Sequence, residues 1–480
     1  MFCATILSLP PADTNRADRP HDPYPPAMPS VRAWILIGVA VRALLLVLAS
    51  PIELQSDEAH YAWLGLGWER FGFLTDSQRF LWPPAYPFLH RLGFSLFEEH
   101  GVLAVRVLQV ACSAATGWGV AALARRLIHE RAAPWATALW AVHLPLAGFC
   151  VLGWPDSLCL ALLLPSLALL YDAAQDLDTR KLVAAGVLLG VAALFKELSL
   201  AIALSLALWL CVHTYRNHRH HTSRATLTFL LAVFLPLAPW TARNLQHYSS
   251  PILSGSTLAE NIYQGWNAHD RNFDVLPVVR STGLDPRPDT SSALAFPIDA
   301  STTWDRPGGP DLPARQAAKL HSGAQWVSTH PSDFLLSRVS KAAHVFAPLS
   351  FPVRHLALGH YGGPLGHGAL ARIFLVLATV QSLALLLFAA VALARHAPPH
   401  ALFWIPVCVL LAQPLLVGMT RLRVPLIPFF LIAIAAGIVR TRPPRSILSG
   451  ALAVAVLVFL LATDMRPILW LLQHAWEVSA

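Results

Sequence analysis

The chain has 480 residues, of which 55% are hydrophobic and only 13% charged, about half the charged share of a soluble globular protein. Its formal charge of +8 comes from 35 basic and 27 acidic residues, and the basic ones sit mainly in short loops between apolar windows, a membrane-orientation pattern rather than a nucleic-acid footprint. Composition therefore excludes a soluble domain and nucleic-acid binding, and it points to an all-α polytopic membrane protein, because windows of about 20 apolar residues recur along the chain.

Residues 1–31 are polar and proline-rich (Pro10, Pro11, Pro20, Pro23, Pro25, Pro26 and Pro29). They lack the charged-then-apolar order of a cleavable signal and read as a disordered cytoplasmic N-terminus. Met28 is an alternative start, since Met28-Pro29-Ser30-Val31-Arg32 leads straight into the first apolar window. The six cysteines (Cys3, Cys112, Cys150, Cys159, Cys211 and Cys408) have no CxxC or zinc-like spacing, so all but Cys3 read as small buried hydrophobes.

About 11 transmembrane helices are expected. They run over approximately 32–50, 102–124, 132–152, 157–175, 182–195, 198–214, 225–241, 370–394, 401–419, 424–439 and 446–463. Strict alternation puts Arg16/Arg19/Arg32, Arg125/Arg126/Arg131, Arg180/Lys181, Arg216/Arg219/Arg224, Arg395 and Arg440/Arg442/Arg445 on one side. That side is the cytoplasm by the positive-inside rule. The chain then divides into an N-terminal transmembrane module (32–241) with a first external loop at 51–101, an extracytoplasmic loop domain of mixed structure at 242–369, and a C-terminal transmembrane module (370–480). A structureless loop as long as 242–369 would be unusual, so packed helices are expected in it.

The first external loop opens with Ser56-Asp57-Glu58-Ala59-His60-Tyr61. Two adjacent carboxylates at a membrane surface are costly to desolvate unless they bind a cation or act as a base; a solvated acidic cap is the plainer reading. Leu81-Trp82-Pro83-Pro84-Ala85-Tyr86-Pro87 follows, suited either to interfacial anchoring or to framing an acceptor groove. Arg106 opens the second span, where it either snorkels or meets a carboxylate or phosphate. In Trp154-Pro155-Asp156-Ser157 the carboxylate of Asp156 either caps a helix or orients an acceptor. Lys196-Glu197 either neutralises itself or offers Lys196 to a phosphate. Arg243, Lys341, Arg421 and Arg423 are further cations on the same side, able to neutralise a leaving phosphate. The cluster His213, His218, His220 and His221 has no carboxylate or cysteine to complete a metal site, and no metal is assigned to it.

In order along the chain, these residues resemble the GT-C membrane glycosyltransferases, in the branch of the protein O-mannosyltransferases and aminoarabinose transferases. The resemblance runs over about 32–440 and rests on Asp57-Glu58-Ala59-His60-Tyr61, Trp82-Pro83-Pro84-Ala85-Tyr86-Pro87, Arg106 and Trp154-Pro155-Asp156-Ser157. It extends to Pro239-Trp240-Thr241-Ala242-Arg243-Asn244, Tyr263-Gln264-Gly265-Trp266-Asn267 and Arg421-Leu422-Arg423-Val424-Pro425. Leu422 stands where the family often has an aromatic, and the stretch 268–320 has no counterpart. The resemblance implies inverting hexosyl or pentosyl transfer from a polyprenyl-phosphate carrier to a glycan, lipid or protein acceptor, on the extracytoplasmic face of the inner membrane. Asp57 would be the base, Glu58 its support and Asp156 the residue orienting the acceptor. His60, Tyr61, Tyr86, Arg106, Lys196, Arg243, Tyr263, Lys341, Arg421 and Arg423 would bind substrate. No essential cofactor is implied, although the acidic pair is also suited to a divalent cation. The rival class, a transporter or flippase, predicts charges deep within several spans and paired interrupted helices; the sequence shows no such internal repeat.

Overall fold

The computed structural model describes residues 29–54, 57–71, 81–266, 312–396 and 398–439, with a few isolated positions beyond. Met28, the N-terminal segment before it and most of the window at 446–463 lie outside the described residues.

Every regular element among the described residues is a helix and none is a strand; one isolated antiparallel bridge joins Ile52 to Tyr361. The first helix, α1 (Val31–Ala49), begins where the Ser30 hydroxyl accepts the Ala33 amide at 3.3 Å, a side-chain cap of the usual kind. Next come α2 (Asp57–Phe71), α3 (Ala85–Phe97) and α4 (Gly101–Leu127), then α5 (Ala132–Val142), α6 (Leu144–Cys150), α7 (Asp156–Asp176), α8 (Thr179–Phe195), α9 (Leu198–Asn217), α10 (Thr222–Phe234) and α11 (Ala238–Tyr248). After them come α12 (Thr257–Gly265), α13 (Leu312–Thr329), α14 (Pro331–Val345), α15 (Phe351–Ala357), α16 (Gly368–His396), α17 (Ala401–Leu411) and α18 (Ile427–Val439). The described parts of the segment expected to be a mixed loop domain carry α12 to α15, joined by irregular stretches such as 249–256.

Among the described residues, six helical stretches are long and apolar enough to cross a membrane: Val31–Ala49, Ala85–Leu127, Asp156–Asp176, Leu198–Asn217, Gly368–His396 and Thr420–Val439. The pair Arg219–Phe234 and Ala238–Tyr248, bent by 60°, makes a seventh if it is counted as one span. Of the other expected spans, 132–152, 182–195 and 401–419 form shorter helices. The window 132–152 breaks at His143, where the Leu144 amide donates to Gln381 Oε1 at 2.6 Å and Gln381 Nε2 donates to the Val142 carbonyl at 3.1 Å. A side-chain amide thereby satisfies the backbone groups that the break frees.

Packing at the centre of the bundle turns on one cation that periodicity does not reveal. Arg42, buried midway along α1, donates to the carbonyls of Gly38 (2.8 Å) and Trp140 (3.3 Å) and lies 4.0 Å from the Trp140 ring. The indole fits only because Gly38 and Gly117 face it, where a Cβ would come within 2.3 and 2.7 Å of its ring. Side-chain contacts gather the C-terminal ends of α1, α6 and α8 with the N-terminal ends of α4, α7 and α9 and the turn before α18. Arg106 reaches the Ile52 carbonyl, Gln109 those of Cys150 and Leu152, and Arg421 reaches Asp57. The sequence-selected carboxylates stand at this end.

Candidate active site

Asp57 and Glu58 occupy the first turn of α2, the helix end where a carboxylate is favoured by the dipole. They diverge from there. Asp57, with a side chain 33% exposed, receives Arg421 Nη1 on Oδ2 at 3.1 Å. Glu58 is fully buried; its Oε1 accepts the Gly153 amide at 2.8 Å and its Oε2 lies 3.6 Å from His355 Nε2.

Asp156, the first residue of α7, is wholly buried. Its carboxylate does not cap the helix through a side-chain bond to the backbone N–H groups of the first turn, one of the alternatives open from sequence. Lys196 Nζ hydrogen-bonds Oδ1 instead, and Arg421 Nε lies 3.7 Å from Oδ2. Lys196 and Glu197 likewise do not neutralise each other. The Glu197 carboxylate accepts the amides of Thr257 (2.8 Å) and Leu258 (3.3 Å), holding the start of α12. Burial pushes the Glu197 carboxyl above its usual range, opposed by those N–H bonds.

The result is a chain of alternating charge, Asp57–Arg421–Asp156–Lys196, drawn from α2, the turn before α18, the start of α7 and the junction of α8 with α9. The Arg421 guanidinium carbon lies 3.7 Å from the centroid of the Trp154 ring, so the indole positions it as well as its two carboxylates. Aromatic rings wall the network. Tyr61 packs at 4.6 Å from Trp82 and 5.1 Å from Tyr86, and Trp154 lies 5.5 Å from Phe351. Burial raises the Tyr61 hydroxyl well above its ordinary value, against the opposing charge of Arg421. His60, half-buried, faces Trp82 at 6.3 Å. Tyr86 donates to Gln109 Oε1 at 2.6 Å. Arg106 is buried and uses only Nη1, toward the Ile52 carbonyl; Nε and Nη2 have no hydrogen-bond partner.

The remaining sequence candidates make contacts of their own. Arg243 lies 4.9 Å from the Trp240 ring and 5.4 Å from that of Tyr248, and it bonds Asn244 Oδ1 at 3.0 Å. Tyr263, on α12, is exposed. Lys341 is buried and approaches the carbonyls of Gly265 (3.4 Å) and Leu416 (3.3 Å), and Arg423 donates to the Ala347 carbonyl at 2.8 Å. Arg338, which the sequence did not single out, joins Lys341 there through the carbonyls of Gly265 (2.6 Å) and Leu415 (2.8 Å). His355 was missed too: it lies far along the chain from the acidic pair and in no motif. Among the described residues no group of three or more His, Cys, Asp or Glu side chains is arranged to hold a metal ion.

Residues 82–240 match the family of dolichyl-phosphate-mannose-protein mannosyltransferases. The resemblance to the O-mannosyltransferase branch therefore holds over that third of the chain, which includes Tyr86, Arg106, Asp156 and Lys196. No curated protein sequence matches. Among solved structures, an archaeal oligosaccharyltransferase from Archaeoglobus fulgidus, in complex with an inhibitory peptide and a dolichol-phosphate, aligns with 89% of this chain and 54% of its own, at 16% identity and a TM-score of 0.44. ArnT from Cupriavidus metallidurans, bound to undecaprenyl phosphate, aligns with 88% of this chain and 78% of its own, at 15% identity and a TM-score of 0.36. The arabinosyltransferase EmbB from Mycobacterium smegmatis aligns with 95% of this chain and 43% of its own, at 15% identity and a TM-score of 0.34. The chain spans about half the length of the oligosaccharyltransferase.

Proposed function

We propose that this protein is an integral membrane glycosyltransferase that moves a sugar from a polyprenyl-phosphate carrier to an acceptor hydroxyl or amine, with inversion, on the extracytoplasmic face of the membrane. The observation that carries the reading is the Asp57–Arg421–Asp156–Lys196 network at one end of the helical bundle. It gathers two carboxylates and two cations where a lipid-borne substrate and a water-borne acceptor can meet. The family match over residues 82–240 supports it.

Such a transfer has two electrostatic requirements. The bond from the sugar to the carrier's phosphate oxygen breaks with its electron pair on that oxygen, so cations must face it. Arg421 and Lys196 are suited to this. The acceptor's X–H bond breaks as its heteroatom bonds the anomeric carbon from the opposite side, so a carboxylate must take the proton. Asp57, more exposed than Glu58 or Asp156, is the base in this reading, while Asp156 positions Arg421 and Lys196 and orients the acceptor. Bulky aromatics around the network limit water, and holding both substrates against a lipid-lined groove makes the reaction effectively unimolecular. Arg106, Arg243 and the group of Arg338, Lys341 and Arg423 would lie along the path of the carrier or the acceptor.

A transporter is the less favoured reading. The charges of the network stand at helix ends, and Arg42, buried midway along α1, is engaged by Trp140 and backbone carbonyls. The test is a panel of radiolabelled polyprenyl-phosphate sugars presented to the purified protein in detergent. Release or transfer of label from one of them is expected. Failure to bind any of the panel would sink the proposal in favour of transport.

A further inference from the structure

We propose that Arg338 is a positioning residue for this transfer: it clamps the end of α12 and the turn at 413–416 onto α14, and so sets where Arg421 stands between Asp57 and Asp156. The inference rests on the transferase reading and adds to it a residue from outside every motif.

α14 and the residues just after it touch the stretch that carries Arg421 at four successive levels. The first is Arg338, buried on α14. Its Nη1 donates to the carbonyls of Leu415 (2.8 Å), Leu416 (3.2 Å) and Pro414 (3.4 Å), and its Nη2 donates to that of Gly265 (2.6 Å). Gly265 is the last residue of α12, and Gln413–Leu415 is a single 3-10 turn capped by Leu416. Both ends leave carbonyls without a partner in their own helix, and a planar fork of donors can meet two such ends at once. The Trp266 indole N–H donates to the Leu415 carbonyl at 2.6 Å, from the α12 side of the same junction. The second level is Gly418, where a Cβ would come within 2.7 Å of the Lys341 Cα. At the third, Val345 of α14 forms a small buried cluster with Val417 and Leu422. At the fourth, Arg423 donates to the Ala347 carbonyl at 2.8 Å.

Arg421 lies within this run, with α14 contacts before and after it. The run has little rigidity of its own. It consists of the two 3-10 turns Gln413–Leu415 and Thr420–Leu426 and an irregular stretch at 417–419, and 3-10 hydrogen bonds are poorer in geometry than those of an α-helix. Gln413 Nε2 closes it on itself by donating to the Leu422 carbonyl at 3.1 Å. Placement of the Arg421 backbone therefore comes largely from α14. A guanidinium that must face a leaving phosphate while keeping two carboxylates and the Trp154 ring depends on that placement, because electrostatic stabilisation of a developing charge requires donors already in position. Arg338 also ties α12 into the same junction, so the extracytoplasmic helices and the Arg421 turn move as one unit.

The experiment measures kcat and donor KM, per folded protein, for wild type, Arg338→Met, Arg338→Lys and Gly418→Ala, each with and without Arg421→Gln. Arg338→Met removes the fork, and Gly418→Ala pushes the run away from α14 while leaving Arg338 in place. Both are expected to lower kcat by about 10- to 100-fold, with a much smaller change in donor KM. Arg338→Lys keeps the charge but not the fork, and should recover only part of the loss. In the Arg421→Gln background, whose residual transfer is the baseline, the same changes should cost nothing further, because the residue they act through is gone. Losses that multiply with Arg421→Gln, a loss carried by donor KM alone, or wild-type turnover in Arg338→Met would overturn the role. Hydrogen exchange over 413–423 reads the clamp without turnover: faster exchange is expected in Arg338→Met and Gly418→Ala, and exchange at the wild-type rate overturns the clamp whatever the activity. A wild type that turns over no donor defeats the transferase reading and the role in transfer with it, while the exchange result still decides whether the clamp exists.

Discussion

Replacing Arg421 with glutamine tests the charge network at its centre. Asp156 has no exposed side-chain surface and lies 3.7 Å from Arg421 Nε. At an effective dielectric constant of about 20 the attraction there is about 4 kcal/mol. The Asp57 contact is closer, at 3.1 Å, but that side chain is one-third exposed, so screening limits its share to about 1 kcal/mol or less. Arg421 also loses burial cost when it is removed, and Lys196 remains to hold Asp156. The net loss expected for Arg421→Gln is about 3 kcal/mol, the lower end for breaking a buried pair. Unfolding of the detergent-solubilised protein by SDS, followed by circular dichroism, measures it. In a double-mutant cycle with Asp156→Asn the two losses should fall short of additivity by at least about 1 kcal/mol. A loss below about 1 kcal/mol, additive with Asp156→Asn, would refute the reasoning and reduce the network to a surface ion pair.

Glu197→Ala removes the acceptor for the Thr257 and Leu258 amides; the expected cost is about 1 kcal/mol, with faster hydrogen exchange confined to the start of α12. Gly38→Ala puts a methyl 2.3 Å from the Trp140 ring and is expected to destabilise by about 1–3 kcal/mol. Gly359→Ala meets no neighbouring atom, so its cost should come from its positive φ alone, about 1 kcal/mol; thermal unfolding of the two variants ranks them, and the reverse order would contradict the packing described. Because Asp57 and Asp156 already have Arg421 and Lys196 as partners, EDTA is expected to leave transfer unchanged, and recovery of lost activity by added divalent cation would contradict that.

Much of the scaffold was legible because a bilayer imposes long apolar windows, and α1, α4, α7, α9 and α16 follow them closely. The windows at 132–152 and 401–419 behave differently. Hydropathy averages over the break at His143, which depends on Gln381 far along the chain, and over the end of α17 before Gln413. The candidate site was legible where local motifs carry it, as in Asp57-Glu58, Trp154-Pro155-Asp156 and Arg421. Partnership was not. Adjacent Lys196 and Glu197 read either as a self-neutralising pair or as offering Lys196 to a phosphate; Lys196 turns to Asp156 on α7 and Glu197 to the start of α12, because side chains at a helix junction diverge. His355 and Arg338 gave no signal, since each acts through contacts with residues remote in sequence. The expected phosphate ligand Lys341 approaches backbone carbonyls that Arg338 also bonds, and Arg423 bonds that of Ala347, contacts that only the tertiary fold defines.

Transfer by wild type and Asp57→Asn should be compared first, at saturating donor and with folding checked by unfolding midpoint. Asparagine keeps the shape and can still accept from Arg421, but it is not a base. The account predicts that kcat falls by about 100-fold or more while donor binding persists. An Asp57→Asn protein that transfers sugar at the wild-type rate would contradict it and move the base to Glu58 or Asp156.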